Sequence, residues 1–426
     1  MNLSKIPFVK PFTYPGFRFI FISEICFFTA VWMAGMVFGL IATHIKGNSP
    51  FYVGLIGFGF NLPMLFGPLV GALVDRYQRP LIMKLVSLSG LFAALFMAIL
   101  LLFGWPNFWL MLFLVIIYGF SQSFYFPAIV ASVSDLIADE NVKGSATSLI
   151  NSTNRVVMFF GYGLGALLIT YISEGATYWF NALLFLLSFI FLLNIPHKVE
   201  KHIARKSVLQ EMLAGLFYVK NSLPVFVIIT LLGFIGLLGW PYLFLVPVVN
   251  RYYLGGNAGT LGLLLAIGGI GGTIGAFYMS ARKTVLGLNR IFLVSFLILV
   301  ISMFLLAFCR SVWLALPVLL LIDFGLMVTL TAGMVFIQQI VPVEFQGRVI
   351  GIITMVSFGT IPIGSTLFYG VVGSFSNVMI AFGVAAIILL LVLFWYINKI
   401  PKIRQSVAPI YLQKGLIKHV NEAGSI

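Results

Sequence analysis

The chain has 426 residues, of which 61% are hydrophobic and 8% charged; an ordinary soluble domain is about 25% charged. So apolar a sequence lacks the polar atoms to cover a water-facing surface, which excludes a soluble globule and points to lipid as the solvent. The net charge of +14 does not signal a nucleic-acid partner, because the bases fall in short loops between apolar runs and form no stripe along a polar helix.

In chain order, the apolar runs predict an all-α integral membrane protein with twelve transmembrane helices. They lie at 17–43, 51–73, 81–103, 108–134, 144–172, 177–194, 224–249, 257–280, 288–308, 312–340, 348–372 and 377–398. Each is long enough to cross a hydrocarbon core of about 30 Å at about 1.5 Å per residue. Turn chemistry separates them: GNSP at 47–50, GWPN at 104–107, SEGA at 173–176, LGGNAG at 254–259 and GSFSN at 373–377. The first run is too long for the apolar region of a signal peptide, so no cleavable signal is expected.

The polar stretch 195–223 divides the chain. An N-terminal six-helix half (1–194) precedes it, and a C-terminal half (224–398) and a tail (399–426) follow. Residues 207–219 alternate apolar and polar at helical spacing, which fits a short amphipathic helix on the inner surface; a plain tether remains the alternative. Gly54, Gly67 and Trp32 recur as Gly262, Gly275 and Trp240 at one common offset, close to half the chain. Two related six-helix halves leave such a trace, and small residues at matching places let helices approach closely.

Lys and Arg are distributed unevenly. Alternate loops and both tails carry most of them, including Arg76, Arg79, Lys143, Lys201, Arg205, Lys206, Arg282 and Arg348, whereas the opposite loops carry only Lys46, Arg251 and Arg310. This bias places both termini in the cytoplasm and the protein in the cell (inner) membrane. Trp105, Trp109, Trp179 and Trp313 fall near one interface and Trp395 near the other, as an aromatic belt requires.

Three ionisable residues lie inside spans: Glu24, Arg155 and Asp323. A charge at the bilayer centre costs at least ~2.5 kcal/mol, so each is expected to face a cavity or a partner. Glu24 is the candidate for proton or cation recognition, with a fixed Glu24–Arg155 ion pair as the structural alternative; Asp323 has the alternative of a hydrogen-bonded structural acid. Trp32, Asn61, Tyr118, Gln122, Tyr125 and Trp240 are candidate cavity-lining residues, each with helix packing as its alternative. The two cysteines, Cys26 and Cys309, form no disulfide framework, and the four histidines are scattered. No metal or cofactor is expected.

After the second run the sequence reads GALVDRYQRPLIMK. It resembles the signature loop of the major facilitator superfamily, roughly G-x-x-x-D-R-x-G-R-[RK]. Gly71, Asp75, Arg76 and Arg79 match, while Gln78 stands where the family has Gly and Pro80 where it often has a base. Three stretches look like the bacterial efflux branch with macrolide-efflux-type and siderophore-export-type carriers: 66–79, 123–155 and 341–356, the last reading VPVEFQGRVIGIITMV. The resemblance implies two pseudo-symmetric six-helix bundles and alternating access. Asp75, at an inner helix end beside Arg76 and Arg79, is a candidate cap for a helix of the other half starting near Gly347 and Arg348, closing an inner gate as the resemblance also implies; the alternative is that these charges only set orientation. Many proton-coupled members carry an Arg in helix 4 where this chain has Tyr118, so proton coupling does not follow from the resemblance.

The expected function is secondary active transport, as efflux of drug-like or macrolide-like amphipathic solutes by a monomer in the bilayer, with protons as a candidate coupling ion. A lipid or lysolipid flippase, or an importer, would share the fold. No GxxxxGK[ST], HExxH or paired catalytic acids occur, so neither an ATP-driven pump nor a membrane-embedded enzyme is expected.

Overall fold

The computed structural model describes residues 10–45, 49–104, 107–137, 139–195, 208–282, 286–375 and 377–413, and among them finds helices and turns but no strand. The N-terminal half comprises α1 (Pro15–Ile45), α2 (Pro50–Asn61), α3 (Gly67–Arg76), α4 (Arg79–Leu102), α5 (Phe108–Leu136), α6 (Glu140–Tyr171) and α7 (Glu174–Leu193). The amphipathic stretch of the linker is helical, as α8 (Val208–Asn221). The C-terminal half comprises α9 (Leu223–Phe234), α10 (Tyr242–Tyr252), α11 (Ala258–Ser280), α12 (Leu288–Leu306), α13 (Val312–Ile340), α14 (Val343–Gly359), the single turns α15 (Ile361–Ile363) and α16 (Gly373–Phe375), and α17 (Val378–Gln413).

Eleven helical segments among the described residues are long and apolar enough to cross a membrane. The twelfth crossing is made by α2, the 3-10 stretch Leu62–Phe66 and α3 in succession. Three spans are thus interrupted where unbroken helices were expected. Pro63 at the start of the 3-10 stretch removes a backbone donor from the second span. The seventh and eleventh spans each contain a π-helical stretch, Ile235–Gly239 and Gly364–Val372. The two stretches meet: the Tyr369 hydroxyl donates to the Leu238 carbonyl at 2.6 Å, satisfying an acceptor that looser π winding exposes. The last helix runs on through 399–413 because Ile400, Ile403, Val407 and Tyr411 recur on one buried face.

Helix starts follow the turn chemistry. Asn107 accepts from the backbone amides of Trp109 and Leu110, Ser173 from Ala176 and Asn257 from Thr260. Gly104, Gly255 and Gly287 hold positive φ of 69°, 64° and 74° in turns between spans. The described ends of the chain share the face that carries most of the lysines and arginines, here the base-rich face; the other is the base-poor face. Trp109, Trp179 and Trp313 are exposed near the base-poor ends of their spans, as belt residues should be, while Trp105 lies outside the described residues.

The halves meet along two side seams, α2 with the eleventh span and α6 with α11. Glycine allows the contact on both. A Cβ on Gly54 would collide with the Ser365 carbonyl, and one on Gly262 with Ala166. Between the seams, α1 meets α10, where a Cβ on Gly39 would lie 2.9 Å from Pro247. All three contacts lie in the base-poor half of the spans and close the interface there. No packing of similar extent joins α5 and α6 to α13 and α14 among the described residues.

Candidate functional site

Between the halves, midway along the spans, lies a crevice. Its walls include Trp32, Met36 and Phe60 from one half, Tyr162 of α6, and Phe244, Pro247 and Leu265 from the other. Only about 20 Å³ of space is left inside, enough for about one water and no solute. Phe60 and Phe244 meet across it with ring centroids 6.0 Å apart. The Trp32 indole packs edge-on against Tyr162 at 6.0 Å, and its Nε1 has no hydrogen-bond partner among the described residues. On the pseudo-symmetric side, Trp240 packs against Phe358 at 5.8 Å. Each tryptophan of the repeat therefore meets the corresponding helix of its own half, the fifth span for Trp32 and the eleventh for Trp240.

One acid borders this region. Asp323 on α13 is buried, and its carboxylate and the Tyr242 hydroxyl lie beside the same point on Gly268 and within electrostatic reach of each other. Tyr242 in turn lies within electrostatic reach of Tyr162 in the other half. Asp323 sits where α11 comes closest: a Cβ on Gly268 would run into the carboxylate, and Gly272 faces the Asp323 Cβ at 4.0 Å. An indole, two phenols and an acid are therefore linked in succession, Trp32 to Tyr162 to Tyr242 to Asp323, with contributions from α1, α6, α10 and α13. Such a set can hold a cationic group by charge and by aromatic faces. Tyr162, Tyr242 and Phe244 were missed by the sequence reasoning; they sit in apolar runs that give no clue to which helices face each other.

Glu24 is elsewhere. It is fully buried in the N-terminal half, beside Tyr125, and neither carboxylate oxygen has a hydrogen-bond partner among the described residues. Next to it is a hydroxyl cluster. Ser23 Oγ lies 2.7 Å from the Tyr125 hydroxyl and 2.8 Å from Ser188 Oγ, which is 3.1 Å from Ser87 Oγ. The structure does not bring Glu24 and Asp323 together. Arg155 lies on α6, and its side chain is outside what is described.

The remaining cavity candidates divide. Trp32 lines the crevice. Tyr118 is fully buried and donates to Asn181 Oδ1 at 2.9 Å, while Asn181 donates to the Ala30 carbonyl at 2.7 Å; this ties α1, α5 and α7 of one half together. Tyr125 stacks on Phe27 at 3.8 Å inside the same half. Asn61 donates back to the Gly57 carbonyl at 3.0 Å, one turn before the 3-10 stretch. Gln122 is buried, with its Oε1 unpaired among the described residues.

At the base-rich face, α3, which carries Gly71, Asp75 and Arg76, packs against both α14 and α8. The side chain of Asp75 lies outside the described residues. α14 begins at Val343 with Glu344 in its first turn, so Gly347 and Arg348 stand one turn inside the helix, and the expected helix start near them is corrected to Val343. Arg348 caps the Phe345 ring at 5.3 Å, and Phe345 stacks on Tyr218 of α8 at 4.9 Å. Burial pushes the Tyr218 phenol up from its ordinary value. Arg79 turns inward within its own half, donating to Asp135 on α5 and, at 3.1 Å, to the Ala131 carbonyl.

The chain was compared with known proteins. Residues 7–419 match the family described as transmembrane secretion effector. Two Bacillus subtilis (strain 168) proteins are similar. YfiS, an uncharacterised transporter of the major facilitator type, is 25% identical over 72% of this chain and 74% of its own length. BacE, described as a candidate bacilysin exporter, is 28% identical over 68% of this chain and 73% of its own length. Among solved structures, the nucleoside transporter NupG superposes with a TM-score of 0.73 at 14% identity, covering 90% of this chain and 99% of that one. The human organic anion transporter MFSD10 superposes with a TM-score of 0.65 at 18% identity, covering 89% and 98%. At these identities the structures share the fold alone.

Proposed function

Because the chain belongs to the transmembrane secretion effector family of the major facilitator superfamily, we propose that it is a secondary active exporter of small amphipathic solutes bearing a cationic group. The observation that carries this is the mid-span crevice, whose walls are aromatic and which Asp323 and Tyr242 border. Export as the direction draws on the family's description and on the relative described as a candidate bacilysin exporter. The base-rich face is cytoplasmic, as the positive-inside rule requires. Solute enters from that face while the base-poor seam is closed, and leaves when the halves rock and the seam at Gly39, Gly54 and Gly262 parts. Protons drive the cycle, with Glu24 as the carrier, since its carboxylate is buried within the spans and has no hydrogen-bond partner among the described residues. Asp75, Arg76, Arg79 and Arg348 belong to the inner gate, where α3 meets α14.

The test is efflux from a pump-deficient bacterial strain exposed to a panel of lipophilic cations and macrolides, with and without the protein. Expression should lower accumulation of at least one compound. In proteoliposomes with an imposed proton gradient, Glu24→Gln should abolish gradient-driven transport while the protein still purifies as a folded species. Protection against no compound, together with lipid translocation in the proteoliposomes, would overturn the solute-export reading. Full gradient-driven transport by Glu24→Gln would remove Glu24 from the mechanism.

A further inference from the structure

At the base-poor face, three charged or titratable side chains from three helices join across the line between the halves. His44 lies at the end of α1, Glu174 in the first turn of α7 and Arg251 in the last turn of α10. His44 Nδ1 is 3.2 Å from Glu174 Oε1, and His44 Nε2 is 2.9 Å from Arg251 Nη1. Arg251 belongs to the C-terminal half and the other two to the N-terminal half, so the imidazole forms a polar link between the halves at this face.

The chemistry fixes the tautomer. A guanidinium has donors only, so Nε2 must accept from Arg251 with its lone pair. The ring proton then sits on Nδ1 and is donated to the Glu174 carboxylate. The neutral imidazole satisfies both partners at once. A second proton on Nε2 would turn that acceptor into a donor facing the Arg251 guanidinium and set two positive charges at hydrogen-bond distance. The Glu174 contact survives protonation and the Arg251 contact does not. Glu174 and Arg251 are the only charged groups at this level on the described elements packed against α1. Of the phenols, Tyr178 lies within electrostatic reach of Glu174.

We infer that His44 is a proton-operated latch on the outer gate, which holds the halves together when the outside is neutral and releases Arg251 when the outside is acidic. It rests on the alternating access and the cytoplasmic base-rich face proposed above. Imidazoles ordinarily titrate between about pH 5 and 8, which covers the external range that a respiring cell meets. An exporter whose outer gate opens as the outside acidifies opens on the side from which the driving proton arrives. His44 is then a coupling residue remote from the central crevice, acting through Arg251 and not on the solute.

The test uses the full chain in lipid nanodiscs, with Cys26 and Cys309 replaced by Ala and spin labels at Phe103→Cys and Phe375→Cys. These are exposed positions near the base-poor ends of the two halves, well apart from His44 in sequence. Pulsed dipolar distances should show a long, outward-open component whose ratio to the short one rises about 10-fold between about pH 7.5 and pH 5.5. His44→Gln, whose amide can donate to Glu174 and accept from Arg251 together, should give the short distance at both pH values. Arg251→Gln, which removes the like charge but keeps His44, should give a ratio that does not change with pH. An acid response in His44→Gln equal to that of the parent would overturn the latch. So would a parent that opens with a transported compound but ignores pH. If neither pH nor any compound produces the long distance, the alternating-access reading itself fails, and the latch with it.

Discussion

Asp323 and Tyr118 are both buried polar side chains inside spans, but they are held for different ends. Tyr118 is spoken for within one half through Asn181 and the Ala30 carbonyl. Tyr118→Phe leaves Asn181 Oδ1 without its donor and should cost about 1–3 kcal/mol, read as a lower melting temperature in detergent with transport per folded molecule unchanged. Asp323 lies at the boundary of the halves beside Tyr242, so Asp323→Asn should cut transport of cationic solutes while sparing neutral ones; an equal loss for both would mark it as structural. Arg79→Ala should destabilise by about 1.5–3 kcal/mol, and the double variant with Asp135→Ala should recover part of that loss in thermal melts. Sequence exposed the three intramembrane ionisable residues because charge stands out in an apolar run. It hid Asp135 as the partner of Arg79, because two charges at the ends of different spans do not announce which pairs they form.

The matched glycines of the two halves show their purpose only at the level of helix pairs. Gly54 lies against the eleventh span and Gly262 against the fifth, and these are equivalent partners under the pseudo-twofold that carries the second span onto the eighth. The repeat was legible as a common offset of small residues, whereas the seams it builds were not, since an offset carries no direction in space. Gly54→Leu or Gly262→Leu should overpack the closed seam by about 1–3 kcal/mol and push the population outward-open. A cysteine at Ser365, buried against Gly54, should then react faster with a membrane-impermeant thiol reagent from outside; unchanged labelling would mean that the seam relaxes without opening. The interruptions of the second, seventh and eleventh spans were illegible for a related reason. Pro63 and the glycines at 236, 239, 364 and 370 permit 3-10 or π winding, but whether a helix takes it depends on the neighbour that satisfies the freed carbonyl, as Tyr369 does for Leu238.

At the scale of the whole molecule, composition and the period of the apolar runs were enough for the class, and the charge bias predicts its orientation. A fluorescent protein fused after Ile426 should therefore fold and fluoresce in bacteria, whereas alkaline phosphatase at the same place should stay inactive; the reverse pattern would invert the topology and with it the direction of transport. What neither composition nor period could convey is how little room the closed arrangement leaves at its centre. With space for about one water between Trp32, Tyr162 and Phe244, the described residues leave no room at this crevice for a wetted file through which small ions could percolate. The membrane voltage is therefore held off by packed rings, and idle copies should add no measurable conductance to a planar bilayer. A cell can stock many of them without short-circuiting its membrane potential.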